Sequence, residues 1–154
     1  MPSWFGYSAH GVQFVPEKPG PGRFENIDGI HWTDVVGYRR GWGVRYRGKA
    51  SSDNWFHCAI PTLELHQHSS GRLGEIQVEF ETSGTAMVDR VHVWSGGNRI
   101  FVRDGLALTG KQSFGDPLLD LPLNGGINVC VHVIFGSATS EILFTRAYAR
   151  FVTP

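Results

Sequence analysis

The segment EIQVEFE, Glu75 to Glu81, alternates without a break. On an extended chain Ile76, Val78 and Phe80 share one face, and Glu75, Gln77, Glu79 and Glu81 share the other. Nothing else in the chain restricts its fold as tightly, because a period of two suits a half-wet strand and does not suit an amphipathic helix. INVCVHVIF, Ile127 to Phe135, keeps the same period but is mostly apolar on both sides. Val129, Val131, Val133 and Phe135 face one way and Cys130, His132 and Ile134 the other, which predicts a central strand covered on both faces. No window carries apolar residues at i, i+3, i+4 and i+7 through three turns, and glycines interrupt the chain throughout.

Further strands are expected in HGVQFV (His10 to Val15), GWGVRYR (Gly41 to Arg47), NWFHCAI (Asn54 to Ile60) and MVDRVHVW (Met87 to Trp94). NRIFVRD (Asn98 to Asp104), PLLDLPL (Pro117 to Leu123) and EILFTRAYARF (Glu141 to Phe151) complete the set. TSGT, SGGN, NGG and GSATS punctuate them, and SGGN predicts a tight hairpin. The expected fold class is all-β: one antiparallel β-sandwich or jelly-roll-like domain over residues 1–154, with roughly eight or nine strands. Val15 to Arg40 reads as a long loop insertion, with a short strand near HWTDVV, and Asp104 to Pro117 as a second long connection.

Lys plus Arg equals Asp plus Glu at 14 each, so neither nucleic acid nor an acidic membrane surface is expected as a partner. Near-zero net charge eases self-association. The start MPSWFGYSAHG lacks the basic run and apolar core of a signal peptide, and the chain reads as soluble and cytoplasmic, a leaderless export route being compatible with the same sequence. No GxSxG, Walker, Rossmann or HExxH pattern is present, and no cofactor is expected.

NWFHCAI sets histidine beside cysteine. In a strand Trp55, His57 and Ala59 share one side and Phe56, Cys58 and Ile60 the other, so His57 and Cys58 cannot line one pocket and Cys58 reads as core. Cys130 and His132 do share a face, and with His57 or His92 from neighbouring strands they could meet a metal ion or form a cysteine site. The alternative is histidines packed and hydrogen-bonded on a secondary face. His66 and His68 of HQH read as a surface loop or a two-ligand metal site. The aspartates at Asp104-Gly105 and Asp116-Pro117 read as turn residues.

Aromatic residues carry more signal. Trp32, Tyr38, Trp42, Tyr46, Trp55 and Trp94 are the candidate ligand-binding set, since exposed tryptophan and tyrosine beside arginine, as in YRRGWGVRYRGK, suit sugar stacking or a protein interface. The competing reading of that strand puts Trp42, Val44 and Tyr46 in the core and Arg45 and Arg47 outside.

GWGVRYRGKASSDNWFHCAIPT, VHVWSGGNRIFVRDGLALTG and EILFTRAYARF together resemble a group of small bacterial all-β proteins catalogued only as a domain of unknown function. In that group an HG pair, here His10 and Gly11, precedes a GWG strand, here Gly41 to Gly43; RGK, NWFH and IPT, then VHV and DGL, then ILFT follow. The resemblance covers most of the chain from Gly41 onward, implies a β-sandwich, and implies no catalytic residue. The functional expectation is a non-catalytic recognition or self-assembly module, homo-oligomeric through sheet edges and the aromatic N-terminal segment. Carbohydrate binding through exposed aromatics is the alternative, and a metal-dependent or cysteine enzyme using His57, Cys130 and His132 a further one.

Overall fold

The computed structural model describes residues 3–19, 23–25, 38–62, 71–117 and 119–153. Twelve strands run through them: β1 (Ser3–His10), β2 (Val15–Pro16), β3 (Tyr38–Arg40), β4 (Gly43–Arg47), β5 (Ser52–Ile60), β6 (Arg72–Ser83), β7 (Ala86–Ser95), β8 (Asn98–Arg103), β9 (Lys111–Asp116), β10 (Leu121–Pro122), β11 (Ile127–Phe135) and β12 (Glu141–Thr153). Every pairing is antiparallel. One sheet of seven strands has the order β10-β6-β12-β4-β3, with β1 also on β12 and β9 also on β6; the other has five, β2-β5-β11-β7-β8. The two pack face to face as a β-sandwich around one hydrophobic core. Among the described residues no helix is long and apolar enough to cross a membrane.

The alternating segments behave as their pattern requires. Ile76, Val78 and Phe80 of β6 are buried, while Glu75 and Glu79 lie outside and meet Arg150 and Arg146 of β12 at 3.1 and 2.8 Å. β11 sits between β5 and β7, covered on both faces. SGGN closes the β7–β8 hairpin, with Gly96 at φ +56, a conformation in which glycine pays no steric penalty.

The strand count exceeds the expected eight or nine because β1, β3 and β9 form in segments not expected as strands and β2 separates from HGVQFV; β2 and β3 have only two or three residues, too few to show a period, and of PLLDLPL only Leu121–Pro122 is a strand. β9 lies inside the connection read as a loop. HGVQFV is not one strand: β1 ends at His10 and a 3-10 turn spans Gly11–Gln13. That turn presses on β12, where a Cβ on Gly11 would fall 2.0 Å from the Phe144 carbonyl oxygen. Of the long insertion, β2, β3 and a bridge between Phe24 and Gly48 are described, whereas HWTDVV lies outside the described residues.

Two strands change the parity of their apolar residues midway. β12 buries Ile142 and Phe144, then Ala147, Ala149 and Phe151; β7 buries Val88, then Val91 and Val93. Each change coincides with a β-bulge, at Phe144/Arg146 against β6 and opposite His132/Val133 on β7. A bulge adds one residue to one strand and turns the following side chains over, so the apolar set stays inside across the break.

Phe56 of β5 is fully buried and ties the sheets together. Its ring lies 4.8 Å from Tyr46 and 5.2 Å from Phe144 of the opposite sheet, and 6.4 Å from Phe135 beside it. Phe144 in turn stacks on Phe14 at 4.1 Å. Truncation of a buried aromatic removes its burial and leaves a cavity, so Phe56→Ala is expected to lose about 3–5 kcal/mol in urea unfolding; a loss near that of a surface substitution would refute the central role of this ring.

Cys58, two residues on, also faces the core and is fully buried. Burial pushes its thiol up from 9.0 to about 12. Its contribution to stability is intact below 9.0, where both states keep the proton, and is lost as pH rises towards about 12, because the unfolded chain releases a proton that the fold retains. Thermal unfolding followed from neutral to alkaline pH should show this decline. In Cys58→Val the alkaline slope should be shallower, and an unchanged slope would contradict the assignment.

Candidate functional site

The outer face of the five-stranded sheet is a grid of side chains set by strand register. His57 and His92 flank Cys130 on β5 and β7, Trp55 and Arg90 flank His132, and Trp94 lies opposite Asn128. Residues at alternate positions of three adjacent strands converge here because all three are paired and bury their other faces in the core. Trp55 reaches across β11: its ring lies 4.8 Å from both His132 beside it and His92 one strand further on. Cys130 and His132 are accordingly only 3% and 7% exposed although they point away from the core.

An open cleft of about 510 Å³ occupies this face. Trp55, His57, His92, Asn128 and Cys130 lie along it, with Glu17 at the β2 side and Arg90, Trp94 and Arg99 at the β7–β8 side. Trp94 is 37% exposed and carries the Arg99 guanidinium 6.0 Å from its ring centre, within reach of a cation–π contact.

Each histidine of the face has a carboxylate partner. Nε2–H of His57 donates to Glu17 Oε2 at 3.1 Å, Nε2–H of His92 to Asp104 Oδ1 at 2.7 Å, and Nδ1–H of His132 to Asp89 Oδ1 at 2.5 Å. Asp89 owes its place to the bulge in β7, which turns both it and Arg90 outward, where they pair at 3.2 Å. The hydrogen bond from His92 holds the Asp104 carboxyl below its usual value. With Nε2 protonated, neutral His57 presents a lone pair at Nδ1, 3.2 Å from Cys130 Sγ and 3.2 Å from Asn128 Nδ2. Burial, with Glu17 adding to it, pushes the Cys130 thiol up to about 12.

Of the candidate binding residues, Trp55 and Trp94 meet at this cleft. Tyr38 and Trp42 form a separate pair, 6.1 Å apart at the β3–β4 turn, where Arg40 and Arg45 lie over their rings at 4.7 and 5.3 Å. Tyr46 is corrected: it is 1% exposed, its hydroxyl donates to the Phe14 carbonyl at 2.7 Å, and burial raises its pKa. Its neighbours place it in the core because it shares the inward parity of Val44, whereas Trp42 falls in the turn and is 42% exposed. Trp32, His66 and His68 lie outside the described residues.

The candidate metal set His57, Cys130 and His132 is brought to one face without converging. His57 meets Cys130, but His132 is taken by Asp89, and among the described residues no group of three or more His, Cys, Asp or Glu is placed to hold a metal ion. Sequence reasoning missed Glu17, Arg90, Arg99 and Asn128. Arg90 and Asn128 share outward parity with His92 and Cys130, a signal present in the period of two, while Glu17 follows a two-residue strand that has no period to read.

No family model matches the chain, and no curated protein matches it. Among solved structures it is similar to the CBM36-1 domain of a multidomain xylanase from the hindgut metagenome of Trinervitermes trinervoides, at 9% identity and TM-score 0.43 over 94% of this chain and 96% of that one. It is also similar to the carbohydrate-binding module CBM36 in complex with calcium and xylotriose, at 13% identity and TM-score 0.40 over 91% and 96%. A family 29 carbohydrate-binding module from Piromyces equi matches at 12% identity and TM-score 0.37 over 97% and 91%. Similarities of this size carry no functional argument.

Proposed function

We propose that the protein is a recognition module that binds a carbohydrate in the cleft of its five-stranded sheet. The observation that carries this reading is the pairing of Trp55 and Trp94 with Asn128, Arg90 and Arg99 along one open cleft. Sugars present apolar C–H faces and rims of hydroxyls, and a site that takes them combines flat aromatic surface with convergent amide, guanidinium and carboxylate groups. The rest of the face supports the reading by being rigid: the histidines are held by carboxylates, so the tryptophan beside them is positioned before a ligand arrives.

A glycan array followed by titration of intrinsic tryptophan fluorescence tests it. Trp94→Ala should keep the fold, because the side chain is exposed, and should weaken binding of any hit by about tenfold or more. A silent array with no fluorescence change on adding common oligosaccharides would remove the reading.

Self-assembly is a second reading, favoured by β1. Among the described strands β1 pairs only with β12, and its Trp4 and Phe5 are 66% and 42% exposed. An open edge with exposed aromatic residues is a surface that a second copy of this chain can cover. Light scattering at micromolar concentration should then report a dimer or larger species that Trp4→Lys converts to monomer, whereas a wild-type monomer would dismiss the reading.

A further inference from the structure

We propose that Cys130, His57 and Glu17 form a thiol acyl-transfer site in the cleft, with a short-chain acyl ester as substrate. The three groups meet the geometric requirements of an activated nucleophile: nucleophile and base in hydrogen-bond reach, and the base oriented by a third group. Cys130 and His57 are cross-strand partners on β11 and β5, with Sγ 3.2 Å from Nδ1. Glu17 is delivered by β2, whose Val15 is registered on His57, and the Glu17 amide continues the ladder by donating to the Trp55 carbonyl at 2.8 Å. Its carboxylate takes Nε2–H and so fixes the tautomer that aims a lone pair at the thiol. All three side chains line the cleft, Cys130 at its floor with 3% exposure. Cys58, the other thiol of the chain, faces the core instead.

Asn128 supplies the fourth part. It precedes Cys130 by two residues on the same face, and its amide NH2 lies 3.2 Å from His57 Nδ1, sharing that lone pair with the thiol; once Nδ1 has taken the thiol proton the two donors repel, and the NH2 is free to turn to the acyl oxygen. Its Oδ1 is buried without a hydrogen-bond partner.

The chemistry balances with water as the only co-reactant. His57 Nδ1 takes the thiol proton as Sγ attacks the acyl carbon; the bond to the alcohol oxygen breaks, and His57 returns the proton to the departing alkoxide. Water, deprotonated by His57, then attacks the thioester, releases the carboxylic acid and restores the thiol. Burial keeps Cys130 protonated at rest, so the nucleophile forms only as His57 removes its proton, as in a serine hydrolase. The site does not depend on a sugar being bound.

The test is incubation of the whole chain with p-nitrophenyl acetate, followed by intact-protein mass, peptide mapping and p-nitrophenol release. One acetyl group on Cys130 and steady turnover are expected, and Cys130→Ala should lose both. His57→Gln should lower kcat about 100-fold or more. Glu17 is a positioning residue: with a half-exposed side chain, Glu17→Gln should fold normally and lower kcat at unchanged KM, and Glu17→Asp should recover part of the rate. Acetyl groups confined to lysines, or equal release from wild type and Cys130→Ala, would overturn the proposal even where glycan binding holds. Should Cys130→Ala fail to fold, a Glu17→Gln protein with wild-type kcat would overturn it as well.

Discussion

The contact between Phe56 and the aromatic rings of the opposite sheet governs the rest of the structure. Phe56 meets Tyr46 and Phe144 across the sandwich, and Phe144 carries the stack to Phe14. Rings pack at defined distances and angles, so this cluster fixes the height of β5 above the seven-stranded sheet in a way that aliphatic side chains would not. Cys58 and Ile60 follow on the same face and are buried with it. Because a strand alternates, locking Phe56 and Cys58 inward aims Trp55 and His57 outward. Core and cleft are two faces of one strand.

The same coupling explains what the sequence could disclose. Alternation in Glu75 to Glu81 and Ile127 to Phe135 specifies both strands, the wet face of one and the central place of the other, because burial leaves period two only one consistent orientation. The doublets Asp89-Arg90 and Thr145-Arg146 mark the bulges, since the inward apolar set shifts parity beside each. Short strands escape detection for a physical reason: Val15–Pro16 and Tyr38–Arg40 are held by neighbours, not by a pattern of their own.

For the site, the limit was distance along the chain. His57 and Cys130 are 73 residues apart, and His57 and Glu17 are 40, so their meeting depends on which strands become neighbours. Parity alone puts Cys130 on one face with His132 and separates His57 from Cys58. What parity cannot supply is register. Only the pairing of β11 with β5 decides that His57 stands opposite Cys130, and only the bulge in β7 decides that Asp89 takes His132.

The two outer faces show why the cleft forms where it does. On the seven-stranded sheet Glu75 meets Arg150, Glu79 meets Arg146, and Glu141 meets Arg45 and Arg47, so long opposite charges lie across neighbouring strands on its outer face. Such pairs contribute about 0–1 kcal/mol each, and the smaller clefts among them, about 460 and 260 Å³, are lined mainly by charged and polar side chains with no tryptophan. On the five-stranded sheet the charges stand at the margins of a middle filled by rings and a thiol, with Trp55 laid over β11. Water is partly displaced from that middle, which strengthens each remaining hydrogen bond and raises the energetic stake of leaving one unmade. A sheet face built only to be soluble has no need of that arrangement. Histidines fixed by carboxylates beside an exposed tryptophan are the features of a surface prepared to exchange its remaining water for a ligand.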